Sequence, residues 1–323
     1  MKAYCELMTN RYSLYVKPDD KLPVLKSVVG GIAAGISADY PASVILPCCK
    51  DVPAIGGAVI HLADSSTPVI FNGKCVGASW EDGNIRWTEV SGILPDDITL
   101  SPKEQADSAL INLDRALVAG GSSFDNVVRT WFINNRINDW YGDFNIARNN
   151  FFKSRGVYDR LVPASTGVGA PNHADAALIA AAISVQPLND NVKISAIPSP
   201  LQCPAPAYGS SFSRALEIES SHGRRLTISG TASIEPGGAT VFAGDVRKQI
   251  ELTGLVVLAI LESRGMSFTD VSSGICWCAI PEAVPAFYDW AQAVGFPAER
   301  CMTASADICR PDLLIELELE ACK

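Results

Sequence analysis

The chain repeats itself. The segment running from Gln105 to Val127 recurs without a gap as Gln249 to Val271, an offset of 144 residues at which Gln105/Gln249, Leu117/Leu261, Gly121/Gly265, Ser123/Ser267, Phe124/Phe268 and Val127/Val271 are identical. Any two amphipathic helices share apolar spacing, but they have no common reason to be followed by the same glycine, phenylalanine and valine. The repeat predicts a duplicated domain, and 323 residues suffice for two units with a core each. The division is expected near residue 155, giving units 1–155 and 156–323, with Leu161–Val185 either opening the second unit or pairing across the division.

Each copy reads alike. Residues 103–119 and 247–263 carry apolar side chains at helical spacing (Ala109, Leu110, Leu113, Leu117; Leu252, Leu255, Val256, Ala259), and Gly121 and Gly265 stand where a helix end favours a left-handed residue. A strand follows in each, Val127–Phe132 and Val271–Ala279, then a second amphipathic helix, 138–153 and 282–294. Strand patterns precede the first helices, at Ser43–Leu46, Val59–Leu62 and Val69–Phe71 in one half. In the other they fall at Ala215–Ile218 and Arg225–Ser233, a hairpin turning at Ser220–Gly223. Further strands, Ala177–Val185, Ala304–Ile308 and Leu313–Glu320, come after the second helices. The fold class is α+β, with mixed sheets each covered on one face by two helices.

Composition narrows function. Lys plus Arg number 26 against 35 Asp plus Glu, a net charge of −9, with no basic stretch to track a phosphate backbone, so no nucleic-acid partner is expected. The longest apolar runs, Ala176–Ile183 and Leu255–Leu261, are far shorter than the ~20 residues of a membrane span, so no membrane partner is expected either. The opening Met-Lys-Ala-Tyr-Cys-Glu lacks the apolar core of a secretory leader, so a cytoplasmic protein is expected. Ten cysteines include no Cys-x-x-Cys pair, and the three histidines are far apart. The cysteines are read as small core side chains, with no metal and no cofactor expected.

Several segments then take on a family look: Leu226–Ile234, Gly244–Gln249, Gly265–Val271 and the terminal Ile315-Glu-Leu-Glu318. They resemble the Rid/YjgF superfamily, whose members have a chorismate-mutase-like α+β fold and usually form trimers. The two-copy chain more closely resembles the chorismatases, through Arg129-Thr-Trp131, Phe144–Arg148, Pro163–Gly169, Tyr208-Gly209, Phe212–Ala215 and Ala306–Glu316, from about residue 100 onward. It departs from them in having Phe132-Ile133 after Arg129-Thr-Trp and no proline-rich insertion after Tyr208-Gly209. The resemblance implies tandem Rid-like domains, a homotrimer, and cleavage of the enolpyruvyl ether of chorismate or a related small carboxylate. Pyruvate and a 3-hydroxybenzoate-type product are then released. It assigns Glu316 as the general acid, and Cys309 and Gly230 as the residues that distinguish the 3-hydroxybenzoate subgroup.

The residues themselves leave alternatives open. In Leu314–Glu320, period-2 spacing puts Glu316, Glu318 and Glu320 on one strand face. That face is either solvated or closed over by a cleft that raises the acid's pKa; Glu318 and Glu320 are read as surface residues. Arg214, Arg310, Arg148 and Arg129 are candidates to hold carboxylates, since a guanidinium fork binds one with two hydrogen bonds, or else they brace structure. Tyr208 is a candidate donor to substrate or an ordinary buried tyrosine. Cys309 is a core thiol, a shape determinant or a chemical participant. The alternative function is a Rid-like imine or enamine deaminase, for which Arg300 is the nearest matching arginine, or a non-catalytic binding or assembly protein.

Overall fold

The structure is a computed structural model that describes residues 67–172 and 174–323, without the side chain of Tyr208. Before residue 67 it describes only the backbone of five strands. These are β1 (Tyr4–Cys5) paired with β2 (Leu14–Tyr15), and β3 (Leu22–Val29) between β4 (Ile45–Leu46) and β5 (Ala58–Ala63). The strands expected at Ser43–Leu46 and Val59–Leu62 fall on β4 and β5.

The remainder is two six-stranded sheets of one topology. The first unit runs β6 (Thr67–Phe71), β7 (Lys74–Asp82), β8 (Ile85–Ile93), α1 (Pro102–Ala119), β9 (Val127–Asn134), α2 (Ile137–Ser154), β10 (Ala164–Gly169) and β11 (Leu178–Pro187). The second runs β12 (Lys193–Ile197), β13 (Ala215–Ser220), β14 (Gly223–Ala232), α3 (Val246–Ser263), β15 (Val271–Cys278), α4 (Ala283–Val294), β16 (Cys301–Ser305) and β17 (Ile315–Cys322). The first sheet is ordered β10-β9-β11-β8-β7-β6 and the second, from the matching edge, β16-β15-β17-β14-β13-β12. In each, the only parallel pair is the outermost one at that edge, β9 with β10 and β15 with β16. α1 and β9 coincide with α3 and β15 residue for residue at the 144-residue offset.

The repeated glutamines have a structural reason. Gln105 Nε2 donates to the carbonyls of Ile98 and Leu100, and its Oε1 accepts from the Ala177 amide just before β11. Gln249 does the same with Phe242, Asp312 and the Leu314 amide just before β17. In both copies one buried amide side chain pins the helix start to the entry of the central strand. Gly121 and Gly265, at φ +77° and +66°, take the left-handed turn that a side chain would strain.

The expected division at 155 is displaced. β10 pairs with β9, and β11 pairs with β8 and β9, so the first sheet extends to Pro187 and the second begins at Lys193. β11 is apolar on both faces because it is the buried third strand of its sheet, and such a run is compatible in sequence with either unit.

The helices of each unit cover the outer face of its sheet. Leu110, Leu113, Phe144 and Phe152 pack there in the first unit, and Val256, Ile260 and Phe287 in the second. The inner faces meet each other. At one end Trp80, Trp87, Ile183 and Val185 pack on Leu216 and Ile218; at the other Ile133 and Val168 pack on Ala232, Ile234, Trp277 and Leu313. Full burial is worth ~1.5–3 kcal/mol for a large aliphatic side chain, so this seam holds the units together. It also buries polar residues that one sheet alone would leave in water.

Candidate active site

Within the seam a small cavity of about 40 Å³ is lined by both units. β17 supplies Glu316, β14 Gly230, β10 Ser165 and Gly167, and α2 Tyr141 and Arg148. The segment before β13 supplies Ser210, Phe212 and Arg214, and the β16–β17 connection Cys309, Arg310 and Leu313.

Period-2 spacing sends Ile315, Leu317 and Leu319 into the second core, while Glu316 and Glu318 face the first sheet at 5% and 4% exposure. The expectation that Glu318 is a surface residue is therefore wrong: Arg129 and Trp131 of β9 close over it, and Glu320 is half-buried. Burial pushes the Glu316 carboxyl up to about 8; the Glu318 charge adds to this, and Arg129 and Arg214 oppose it. No hydrogen-bond donor among the described residues reaches Glu316. A β-carbon on Gly230 would lie 2.1 Å from Glu316 Oε1. The space beside Gly230, a subgroup-distinguishing position by the resemblance, is taken by the acid itself.

The arginines divide. Arg148 is 2% exposed, lies over the Phe144 ring, and donates through Nη2 to Asn145 Oδ1 at 2.6 Å. Its Nε has no partner, and among the described residues it has no ion pair. Burial lowers its pKa, the mark of a cation held out of water. Arg214 donates twice to the Cys203 carbonyl, and Arg310 to the Gly238 carbonyl and Thr240 Oγ1, and both line the cavity. Arg129 lies behind the cavity wall. It donates to Thr166 Oγ1 at 2.7 Å and pairs with Glu318 at 3.0 Å, so the structure gives it a bracing position. Arg300 donates to the Thr269 and Val271 carbonyls, at the far end of β15 from Trp277, the residue opposite Glu316.

Burial pushes the Cys309 thiol up to about 12, with the nearby Glu316 charge contributing, so it stands at the cavity as a neutral wall residue. Tyr208 ends a short turn, Ala205–Tyr208, and its side chain lies outside the described residues. Tyr141, Ser165, Ser210 and Phe212 are not singled out by the sequence pattern; Ser165 and Phe212 lie in segments that carry the family likeness, while Tyr141 is hidden in an ordinary amphipathic helix. Phe132, one of the departures, points into the helix-side core and not at the cavity. The described cysteines are all free, Cys276, Cys278 and Cys301 within the second core. Among the described residues no helix is long and apolar enough to cross a membrane.

No family model matches the chain, and no curated protein matches it by sequence. Among solved structures it is similar to a chorismatase, with 20% identity over 96% of this chain and 95% of that one and a TM-score of 0.69. Single-unit structures also match: yeast Mmf1, at 18% identity over 41% of this chain and 99% of that one, TM-score 0.33; and a Mycobacterium tuberculosis member of the YjgF/YER057c/UK114 family, at 18% over 41% and 100%, TM-score 0.31. Two six-stranded units of one topology, packed face to face and overlaid along their whole length on that structure, give this chain the fold of that chorismatase: two α+β units in tandem.

Proposed function

We propose that the chain is a chorismatase-like enzyme that cleaves the enolpyruvyl ether of chorismate, or of a closely related small carboxylate, by general-acid catalysis from Glu316. The observation that carries this reading is a buried carboxyl, neutral near pH 7, in a cavity it shares with Arg148, a buried cation lacking an ion pair among the described residues. An enol ether is activated by protonation at its methylene carbon. Glu316 gives up its proton there, the carbon becomes a methyl group, and positive charge develops as an oxocarbenium ion stabilised by the new carboxylate. Oxygen addition to that ion and collapse of the resulting ketal release pyruvate. Arg148, Arg214 and Arg310 hold the substrate's carboxylates by charge-assisted hydrogen bonds, with Tyr208 as a further donor.

Pyruvate plus 3-hydroxybenzoate contains all the atoms of chorismate, whereas pyruvate plus the dihydrodiol needs one water more. A closed cavity walled by the neutral Cys309 thiol favours capture by the substrate's own ring hydroxyl, hence 3-hydroxybenzoate as main product. The cavity holds only a few waters, so substrate entry requires its lining to open. A homotrimer in the cytoplasm completes the proposal, and light scattering in solution checks the assembly.

Incubation with chorismate, following pyruvate enzymatically and the ring product by chromatography, tests the reaction. Release of 3-hydroxybenzoate with an equal amount of pyruvate is expected, with turnover lost in Glu316→Gln; no pyruvate from the wild type refutes the substrate. Deamination is the weaker reading, because Arg300 is engaged with backbone carbonyls away from Glu316.

A further inference from the structure

Glu316 and Glu318 stand two residues apart on one face of β17, both shut off from water, in opposite surroundings. Glu316 receives no donor among the described residues. Glu318 receives two, Trp131 Nε1 at 2.9 Å on Oε1 and Trp277 Nε1 at 3.2 Å on Oε2, and forms an ion pair with Arg129 Nη2 at 3.0 Å. Side chains at i and i+2 of a strand share one face, and in a dry seam a charge on one carboxylate disfavours ionisation of its neighbour. The negative charge settles where the donors are.

We propose that Glu318 is a positioning residue for Glu316: an anion fixed by Arg129, Trp131 and Trp277 that keeps the neighbouring carboxyl in its acid form. This deepens the general-acid reading of Glu316 and rests on it. Arg129 and Trp131 come from β9 of the first unit and Trp277 from β15 of the second, so only the assembled seam builds the clamp. Arg129 is itself steadied by Thr166 and lies 4.7 Å over the Trp131 ring. The groups facing Glu316 are Glu318 on its own strand, Arg129 from β9, Arg214 before β13, Cys309 and Arg310 from the β16–β17 connection, and Arg148 and Tyr141 from α2. Burial favours its acid form first, the cations favour its ionised form, and Glu318 is the charge that adds to burial against them.

The test reads the carboxyl directly. Protein labelled with ¹³C at the glutamate carboxyl is titrated by NMR, the Glu316 signal being identified by its loss in Glu316→Gln. Glu318→Gln is expected to lower the Glu316 midpoint by about one pH unit or more, cutting its acid form at pH 8 from about a half to about a tenth or less. Glu318→Asp, which keeps the charge, is expected to hold the midpoint nearer the wild type. A midpoint unmoved in Glu318→Gln, or lowered equally in Glu318→Asp, overturns the proposal. Should Glu318→Gln leave Arg129 unpaired and the protein unfolded, Arg129→Met/Glu318→Gln is compared with Arg129→Met, and a lower midpoint in the double variant is expected; an equal or higher one refutes. The pH profile of pyruvate release from chorismate should move in parallel. The titration needs no substrate, so an enzyme that ignores chorismate defeats the functional reading while the NMR result still decides the role of Glu318.

Discussion

Replacing Gly230 with alanine places a methyl group 2.1 Å from Glu316 Oε1, 2.9 Å from its carboxyl carbon and 3.2 Å from Thr166 Oγ1. Ordinary carbon–oxygen contacts begin near ~3.3 Å, so the carboxyl must retreat by about one ångström. Glu316 is 5% exposed and the seam around it is packed, which leaves an off-rotamer side chain or a displaced β17 as the ways out. Overpacking of this kind costs ~1–3 kcal/mol, several degrees in melting temperature. The larger effect falls on turnover. Misplacing a reacting group by ~1 Å costs ~10²-fold, and positioned acid catalysis is worth ~10²–10⁴-fold altogether. Gly230→Ala is therefore expected to lose ~10²-fold or more in kcat, with both ring products falling together.

A double-mutant cycle isolates the cause. In a Glu316→Ala background only Thr166 Oγ1, at 3.2 Å, stands close to the new methyl group, so Gly230→Ala should cost much less there by thermal or denaturant unfolding, a coupling of ~1–3 kcal/mol against its cost in the wild type. An equal cost in both backgrounds refutes the steric reasoning. Undiminished pyruvate release accompanied by a shift toward the diol would instead assign Gly230 to the substrate ring.

Glu316 has a folded-state pKa of about 8 against an ordinary 4.5, so its stabilising contribution is complete below pH 4.5 and is lost as the pH rises through 8. Glu316→Gln should therefore melt like the wild type near pH 5 and markedly higher at pH 9, the difference growing by ~1.4 kcal/mol for each pH unit between those two pKa values; the wild type's acid-dependent turnover should fall above pH 8. Arg148→Met removes a buried cation that has no ion pair among the described residues, so KM for a carboxylate substrate should rise ~10–100-fold with the melting temperature held or raised. The Cys309 thiol, neutral well past pH 9, should resist iodoacetamide at pH 7.5, and Cys309→Ala should keep pyruvate release while admitting more diol, measured as a product ratio. Gln249→Leu and Gln105→Leu each strip three backbone hydrogen bonds, and each should cost about 3 kcal/mol in denaturant unfolding.

What is legible in the sequence is what lies within one element. The helices at 103–119 and 247–263 follow from apolar spacing and fall within a residue of α1 and α3, because a helix that covers one sheet face must carry that stripe. The alternation of 314–320 likewise places Glu316 and Glu318 together. It does not say what covers the face they share. That cover is Arg129 and Trp131, nearly two hundred residues earlier in the chain, so Glu318 reads from its own strand as a solvated glutamate. The unit boundary is misplaced for a related reason: β11 is apolar throughout, and nothing local says which sheet a fully buried strand joins.

The duplicated fold offers two equivalent places for an acid and uses one. Ile179 pairs with Ile133 in the first sheet as Glu316 pairs with Trp277 in the second, and Ala181 pairs with Trp131 as Glu318 pairs with Ile275. The counterparts of both glutamates are thus apolar. Both copies nevertheless keep a Ser-Gly step, Ser91-Gly92 and Ser229-Gly230, at the same break in register beside the central strand. The irregularity belongs to the fold; the carboxylates belong to one copy. Four glutamates facing one another across a dry seam would repel, whereas this division sets acids on the second sheet against Arg129, Trp131 and Thr166 on the first. The two units are complementary at the site although alike in fold. Neither half alone would shield Glu316 from water, and the acid form it holds near pH 7 is a property of their contact.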